Sequence, residues 1–240
     1  MRVIAFNGSP RMEKGATDLV LDRFLDGVRE AGGDVEKIYV RKMVIHGCDG
    51  CLTCWAETPG GCKFKDDMAG VLEKMREADV WVFATPIYCD TMTSYMKTLI
   101  ERMLPLLAPY MEECGRRTIH PLRYPEEEGR HRMVIISVCG FPEKTHFKPL
   151  SYTFRRISTN FHAPIAAEIY IPGGPMLLSE RWRKRMRRVL EAVTQAGREI
   201  ATTGEVSKKT LETIRRMRIP TALYRDIINR WWRRKLSGSA

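Results

Sequence analysis

Four of the chain's seven cysteines crowd into HGCDGCLTCWAETPGGC, the stretch from His46 to Cys62, as Cys48, Cys51, Cys54 and Cys62. Three cysteines with two residues between neighbours, and a fourth beyond a Gly/Pro turn, can wrap a small inorganic centre, because thiolates at that spacing converge on one point. That is the pattern of a cubane iron-sulfur ligand set. Structural zinc more often takes two Cys-x-x-Cys pairs well separated in sequence, so zinc fits less well. Thiols that hold nothing, whether buried or redox active, are the third reading.

Those thiols need a scaffold and a compartment. The 240 residues are 44% hydrophobic, enough for one sizeable domain with an ordinary core. The opening MRVIAFNGS is an apolar strand pattern with neither a basic leader nor a long apolar run, so secretion is not expected. No apolar run reaches the ~18 residues that a membrane span requires. A cytoplasmic location is therefore expected, where reduced thiols favour metal or redox roles over disulfides. The net charge of +11 is uneven: residues 178–240 hold 17 of the 40 Lys/Arg but 6 of the 29 Asp/Glu. The whole excess sits in the last quarter, so it bears on partners rather than on the cysteine site.

Arg2 to Phe6 reads as a buried strand that stops at Asn7-Gly8-Ser9-Pro10. A helix follows from near Thr17, with Leu19, Val20, Phe24, Leu25 and Val28 at helical spacing. A strand feeding a polar, glycine-containing loop that opens a helix is an anion site, since free N–H groups and the helix dipole point at the ligand. Ser9, Arg11 and Thr17 could offer hydroxyls and a guanidinium to a phosphate, although a simple strand-to-helix turn would look the same. Further strands are expected over 35–40, 78–84, 133–138 and 163–171. Helices are expected from a cap at Asp66-Asp67 to Glu77, over 93–104, over 152–159 and from Ser179 to about Ile200. Such alternation implies a parallel sheet covered on both faces, with ligands at the carboxyl ends of strands where strand order reverses.

Five stretches together carry a family resemblance: Gly8-Ser9-Pro10-Arg11, the compact cysteine run, Lys65-Asp66-Asp67-Met68, Pro86-Ile87-Tyr88, and YMKTLIERM from Tyr95 to Met103. In them the chain resembles the flavodoxin-like NAD(P)H-dependent FMN reductases and, more nearly, their iron-sulfur flavoprotein branch. The resemblance implies an α/β fold, a flavodoxin-like doubly wound five-stranded parallel sheet in the order 2-1-3-4-5. It implies FMN, and a [4Fe–4S] cluster on Cys48, Cys51, Cys54 and Cys62. Ser9, Arg11 and Thr17 would hold the FMN phosphate, with backbone contacts from Gly15 and Ala16. Pro86, Ile87, Tyr88 and Cys89 would line the isoalloxazine ring, their N–H groups facing its polar edge, with Cys89 a small wall rather than a nucleophile. Ser137, Cys139 and Gly140, in the third loop of that edge, would approach the flavin. His146 beyond them is either a proton donor or a polar loop residue.

The expected function is a flavin-dependent oxidoreductase in which FMN and the cluster exchange electrons. NAD(P)H is a candidate donor, with a small-molecule acceptor. A homo-oligomer, dimer or tetramer, would bring one chain's cluster to FMN at the subunit interface. The alternative is an NAD(P)H-dependent FMN or quinone reductase whose cysteines hold nothing. A reading of another class is a non-enzymatic module attached to lipid or nucleic acid by its tail.

Two segments exceed this pattern. Residues 105–132, with Cys114, His120 and Glu126-Glu127-Glu128, are expected as a solvated loop over the flavin. Residues 1–203 would form the flavin domain, and 204–240 a basic helical extension. In that extension Tyr224, Ile227, Ile228, Trp231 and Trp232 make an apolar stripe beside Arg225, Arg230, Arg233, Arg234 and Lys235. The stripe can pack on a second subunit, on its own domain or on an anionic membrane. A ferredoxin-like acidic electron carrier would suit the basic charge, and no recognised nucleic-acid motif accompanies it. Neither nucleic acid nor a membrane surface is an expected partner.

Overall fold

The computed structural model describes residues 1–216 and 219–238, with the side chains of Arg181 and Arg185 also outside the described set. Strand β1 (Arg2–Asn7) leads through a 3-10 turn to α1 (Ala16–Glu30), and β2 (Asp34–Tyr39) delivers the chain to the cysteine loop with its short α2 (Thr53–Ala56). Then come α3 (Met68–Glu77), β3 (Val80–Pro86) and α4 (Ser94–Glu101). A hairpin of β4 (Glu112–Cys114) and β5 (Arg117–Ile119) interrupts the alternation before β6 (Arg132–Val138), α5 (Lys148–Asn160) and β7 (Ile165–Ile171). The chain continues with α6 (Gly174–Leu177), α7 (Glu180–Arg185), α8 (Arg187–Thr203), α9 (Lys208–Arg215) and α10 (Thr221–Leu236).

The main sheet runs β2-β1-β3-β6-β7 with every neighbouring pair parallel. With the separate hairpin set aside, this is the expected order 2-1-3-4-5. Strand order reverses between β1 and β3, so the loops leaving those strands open the crevice where ligands bind in such sheets. β3, VWVFATP, is buried at every position because helices cover both faces, which is why its sequence is a continuous apolar run rather than an alternation. Val3, Val82 and Ile136 face one core with α1 and α8. Ile4, Phe6, Trp81 and Phe83 face the other, with α3, α4 and α5.

Helices α1 and α8 meet backbone to backbone. A Cβ at Gly27 would stand 1.8 Å from the Thr194 carbonyl oxygen, and one at Gly197 would stand 1.9 Å from that of Phe24. Glycine inside a helix costs about 1 kcal/mol against alanine, so both are retained for the close approach.

Two expectations are revised. The helix foreseen from Ser179 breaks at Met186, whose side chain turns into the core, and α8 then runs on to a left-handed Gly204. Arg183, Lys184, Arg187 and Arg188 are solvent-exposed, as expected of an outer face, whereas Arg181 and Arg185 lie outside the described side chains. The segment 105–132 is only in part the expected solvated loop: residues 109–118 are exposed, but its two ends are packed. It buries Leu106, Leu107 and Ile119. Its end is held by Arg76 Nε to Glu127 Oε1 at 2.8 Å and by His131 Nδ1 against the Ala78 carbonyl at 2.8 Å. Those partners lie at the start of β3, on the sheet edge opposite the crevice, because the segment's polar side chains are spent on the end of α3.

In the extension, Val206 and Ile214 join the sheet's own core and Tyr224 is buried. Ile227 and Ile228 are half-buried, whereas Trp231 and Trp232 stay 51% and 48% exposed. Residues 217–218 and 239–240 of that extension lie outside the described set.

Replacing Gly197 by alanine tests the α1–α8 contact. The gain in helix propensity is about 1 kcal/mol, but the clash is with backbone and cannot be relieved by a rotamer, so net destabilisation of about 1–3 kcal/mol is expected in urea unfolding. A neutral or stabilising result would contradict the close approach.

Candidate cofactor site

The loop between β1 and α1 is built from buried polar groups. Asn7 Nδ2 donates to Asp18 Oδ1 at 2.7 Å, and Asn7 Oδ1 accepts from the Ser9 N–H at 2.8 Å. Lys37 Nζ stands 2.7 Å from Asp18 Oδ1 and neutralises it. Ser9 Oγ accepts from the Arg11 N–H at 3.3 Å. A Cβ on Gly15 would stand 2.9 Å from that hydroxyl and 3.2 Å from the Met12 carbonyl oxygen, so the turn closes only around glycine. α1 then begins at Ala16, and its first-turn N–H groups have no intrahelical acceptor. Thr17 is buried at that helix start and Arg11 is exposed beside it. Serine hydroxyl, free N–H groups and an exposed guanidinium at a helix N-terminus fit a phosphate.

After β3 the chain makes a tight turn. The Tyr88 N–H donates to the Thr91 carbonyl at 2.9 Å and the Thr91 N–H returns the bond at 3.1 Å. Cys89 (φ 46°) and Asp90 (φ 62°) between them are both left-handed, as a primed two-residue turn requires. Non-glycine residues in that region store of order 1–3 kcal/mol of strain each. The Ile87 N–H is also taken, by the Val138 carbonyl at 2.8 Å. The expectation that the N–H groups of residues 86–89 face the ring is thus narrowed: proline has none, and those of Ile87 and Tyr88 are spent, which leaves Cys89. Ser137 Oγ donates to the Thr85 carbonyl at 2.6 Å, and Cys139 is buried with its thiol pushed up by that burial. Of Ser137, Cys139 and Gly140 only Gly140 is exposed, and its carbonyl accepts from the buried Tyr224 hydroxyl of α10. Burial pushes the Tyr224 phenol up to about 12, so it remains a neutral donor there. His146 packs against Phe141 with the rings tilted and their centres 4.7 Å apart.

The cysteine loop is closed at its base by two neighbouring carboxylates. Asp67 Oδ2 accepts from the Val44 N–H at 2.7 Å. Asp66 accepts from the His46 N–H at 2.9 Å, from the Met68 N–H at 3.1 Å, and in bidentate fashion from Arg102 at 2.7 and 3.0 Å. Arg102 also donates to the His46 carbonyl at 2.7 Å. The Arg102 and Asp66 side chains are 2% and 0% exposed. Of the expected Asp66-Asp67 cap, Asp66 takes the first N–H of α3, that of Met68, whereas the Asp67 side chain caps no N–H of α3 and instead reaches across to the strand side of the loop. Within the loop, Gly50 and Leu52 are left-handed and turn the chain between Cys48 and Cys54. Gly60 is left-handed too, and a Cβ there would stand 2.7 Å from the Tyr124 hydroxyl. Arg123 Nη2 donates to the Cys54 carbonyl at 3.3 Å, so the 105–132 segment is a wall of this loop.

Among the described residues no group of three or more His, Cys, Asp or Glu side chains is arranged to hold a metal ion. Burial, and after it the other cysteines of the loop, push the Cys54 thiol up. Two buried side-chain donors in the described residues lack an acceptor, Trp55 Nε1 and Arg102 Nε, and both belong to the loop's walls. Four thiols carried on one loop, with two unpaired N–H donors in its walls, are a donor set of the chemistry that an anionic, sulfur-rich centre takes.

Residues 1–123 match the family model described as NADPH-dependent FMN reductase. The chain belongs to that family. An iron-sulfur flavoprotein of Archaeoglobus fulgidus is 37% identical over 105 residues, which is 44% of this chain and 46% of the relative. Another iron-sulfur flavoprotein, from Methanocaldococcus jannaschii, is 36% identical over 106 residues, 44% of this chain and 53% of its own length. The chain thus spans about half the length of the curated relatives it matches. Among solved structures, an FMN-dependent NADH-azoreductase from Bacillus anthracis in complex with FMN superposes with a TM-score of 0.61 at 14% identity, over 84% of this chain and 100% of that one. An NAD(P)H:quinone oxidoreductase from Methanothermobacter marburgensis gives 0.59 at 15% identity, over 83% and 96%. At such identities the likeness concerns the fold, which is the flavodoxin-like fold expected.

Membership of the FMN reductase family does not by itself point to Arg102, and neither did its sequence neighbourhood. Both Asp66 and the helix ending in Glu101-Arg102-Met103 carried the resemblance, but separately. A charged residue at a position where the α4 periodicity continues apolar, between Ile100 and Met103, was the available signal.

Burial alone would raise the Asp66 carboxyl, but the Arg102 guanidinium, then the His46 and Met68 N–H groups, reverse that and hold it far below the ordinary carboxylate range. With its folded value below its unfolded one, Asp66 stabilises the fold fully above about pH 4 and progressively less as pH falls toward the folded value. Asp66→Asn, which strands the Arg102 charge, is expected to cost about 3–5 kcal/mol in urea unfolding at pH 7, and the gap to wild type should shrink in acid. A loss at pH 7 too small to resolve would contradict the clamp.

Proposed function

We propose that this chain is a flavin-dependent oxidoreductase that moves electrons between FMN at the carboxyl edge of the sheet and a [4Fe–4S] cluster on Cys48, Cys51, Cys54 and Cys62. The observation that carries this reading is the placement of α4 between the two sites. At its start, Thr93 donates to the Gly8 carbonyl of the phosphate loop at 2.7 Å. Just past its end, Arg102 grips the base of the cysteine loop. Eight helical residues, about 12 Å, separate the two. The iron-sulfur flavoprotein names of the relatives, each matched over 44% of this chain, support the same pair of cofactors. FMN exchanges one or two electrons and a cluster one, so together they supply conversion between two-electron and one-electron chemistry.

The chain's own residues bind and orient. Ser9, Arg11 and Thr17, with the N–H group of Ala16, take the phosphate, while the expected Gly15 N–H is spent on the Met12 carbonyl at 3.0 Å. Pro86, Ile87, Tyr88, Cys89 and Gly140 flank the ring, with Ser137 and Cys139 supporting them from beneath. Asp66 and Arg102 keep the cysteine loop at a fixed distance from that ring. NAD(P)H as donor, a small-molecule acceptor and a homo-oligomeric assembly belong to this proposal. An acidic, ferredoxin-like carrier is favoured by the exposed basic end of α10, where Arg233 and Arg234 accompany Lys235.

A crossed pair of substitutions tests the assignment in anaerobically prepared protein. Cys51→Ser should remove the visible cluster absorption and leave FMN bound; unchanged iron content defeats the ligand set. Arg11→Ala should weaken FMN about tenfold, the worth of one charge-assisted hydrogen bond, and spare iron. Unchanged FMN affinity defeats the phosphate assignment.

A further inference from the structure

Strand β2 is an edge of the sheet, paired with β1, and its side chains alternate between the two faces. Val35 packs against the core that α1 and α8 share. Two residues on, where the same face would again take an apolar side chain, stands Lys37. Its side chain is 14% exposed, and the ammonium lies 2.7 Å from Asp18 Oδ1 and 2.6 Å from Asp22 Oδ1. Asp18 is 6% exposed, whereas Asp22, at 45%, shares its charge with water. Burial opposes the ammonium, but the hydrogen bonds to Asp18 and Asp22 outweigh it and hold the Lys37 pKa above the ordinary lysine value. Asp18 belongs to the first turn of α1, whose free N–H groups face the phosphate site. A carboxylate and a phosphate both favour a helix N-terminus, so the two anions compete for one terminus. Contact between them and the loop is continuous: Asp18 Oδ1 accepts from Asn7, and Asn7 Oδ1 holds the Ser9 N–H. The neighbouring cations are not equivalent. Lys42 is paired with Glu13 where both are more than half exposed, and Arg41 is exposed and spends Nη1 on the Pro10 carbonyl.

We propose that Lys37 is a positioning residue for the flavin phosphate: it cancels the buried charge of Asp18, leaves the N-terminus of α1 to the phosphate, and so sets how strongly the chain prefers FMN to unphosphorylated flavin. This rests on the FMN reading above and goes beyond it by naming two residues, Lys37 and Asp18, that act on the phosphate through the loop rather than by touching it. Burial gives the pair its leverage. Without the ammonium, Asp18 would be an uncompensated charge in a low-dielectric position and would repel a phosphate from the same helix turn. Without the carboxylate, the ammonium would add to the helix dipole and draw the phosphate in. Riboflavin, which carries no phosphate, should be indifferent to both.

The full chain, freed of flavin, is titrated with FMN and with riboflavin, and both affinities are read from the quenching of flavin fluorescence. Lys37→Met keeps an apolar stem and removes the charge; it should weaken FMN about tenfold and leave riboflavin unmoved. Asp18→Asn keeps an acceptor for Asn7 and removes the opposing charge; it should tighten FMN about threefold or more, again with riboflavin unmoved. Shifts of opposite sign, confined to the phosphorylated ligand, cannot come from a loosened loop, which would weaken binding in both variants. A preference for FMN over riboflavin that stays at the wild-type ratio in both variants, or falls in both, overturns the proposal and leaves Lys37 a structural ion pair. If Lys37→Met does not fold, Asp18→Asn decides alone: tighter FMN supports the proposal, and unchanged or weaker FMN overturns it. Wild-type protein that binds riboflavin as tightly as FMN refutes the phosphate loop itself, a separate failure.

Discussion

The buried ion pair between Asp66 and Arg102 is the constraint on which the site depends. A seventeen-residue loop rich in glycine and exposed cysteine has almost no core of its own, and among its sulfurs only Cys54 is buried. Its shape is imposed at the base, where one carboxylate gathers N–H groups from both ends of the loop and a guanidinium from α4. Two fully buried charges persist only when their hydrogen-bonding capacity is nearly complete. Here the carboxylate is fully engaged and the arginine lacks a single partner, at Nε.

The same pair joins two regions that would otherwise be independent. The phosphate and ring loops belong to the sheet edge, and α4 leaves that edge to end under the cysteines. Thr93 and Arg102, at opposite ends of one helix, tie both loops to a single rigid element. Rigidity of the edge itself comes from the close crossing of α1 and α8, where glycine lets backbones touch and fixes the helix that starts at the phosphate loop.

The sheet could be read from sequence because each strand and helix announced itself locally: the apolar run of β3 and the Leu19-to-Val28 periodicity of α1 need no partner to be recognised. The cysteine spacing and the Gly-Ser-Pro-Arg turn were visible for the same reason. What could not be read were facts that live between distant segments. Nothing local tells that Asp66, besides accepting from Met68 at the start of its own helix, also gathers His46 and Arg102, or that the Ile87 N–H is taken by Val138. The 105–132 segment looked like solvated loop because its acids and histidines are polar. Glu127 and His131 are in fact spent on Arg76 and Ala78 at the far edge of the sheet. In the tail, the stripe from Tyr224 to Trp232 was recognised, but the division of labour along it was not. Tyr224 is consumed by Gly140, while the two tryptophans stay in solvent.

The account stands or falls on whether the clamped loop carries iron beside a bound flavin. Chemical analysis of the native chain, isolated and kept without oxygen, asks this directly. It should contain about one FMN, about four irons and about four acid-labile sulfides per chain. Flavin with neither iron nor sulfide would contradict the account.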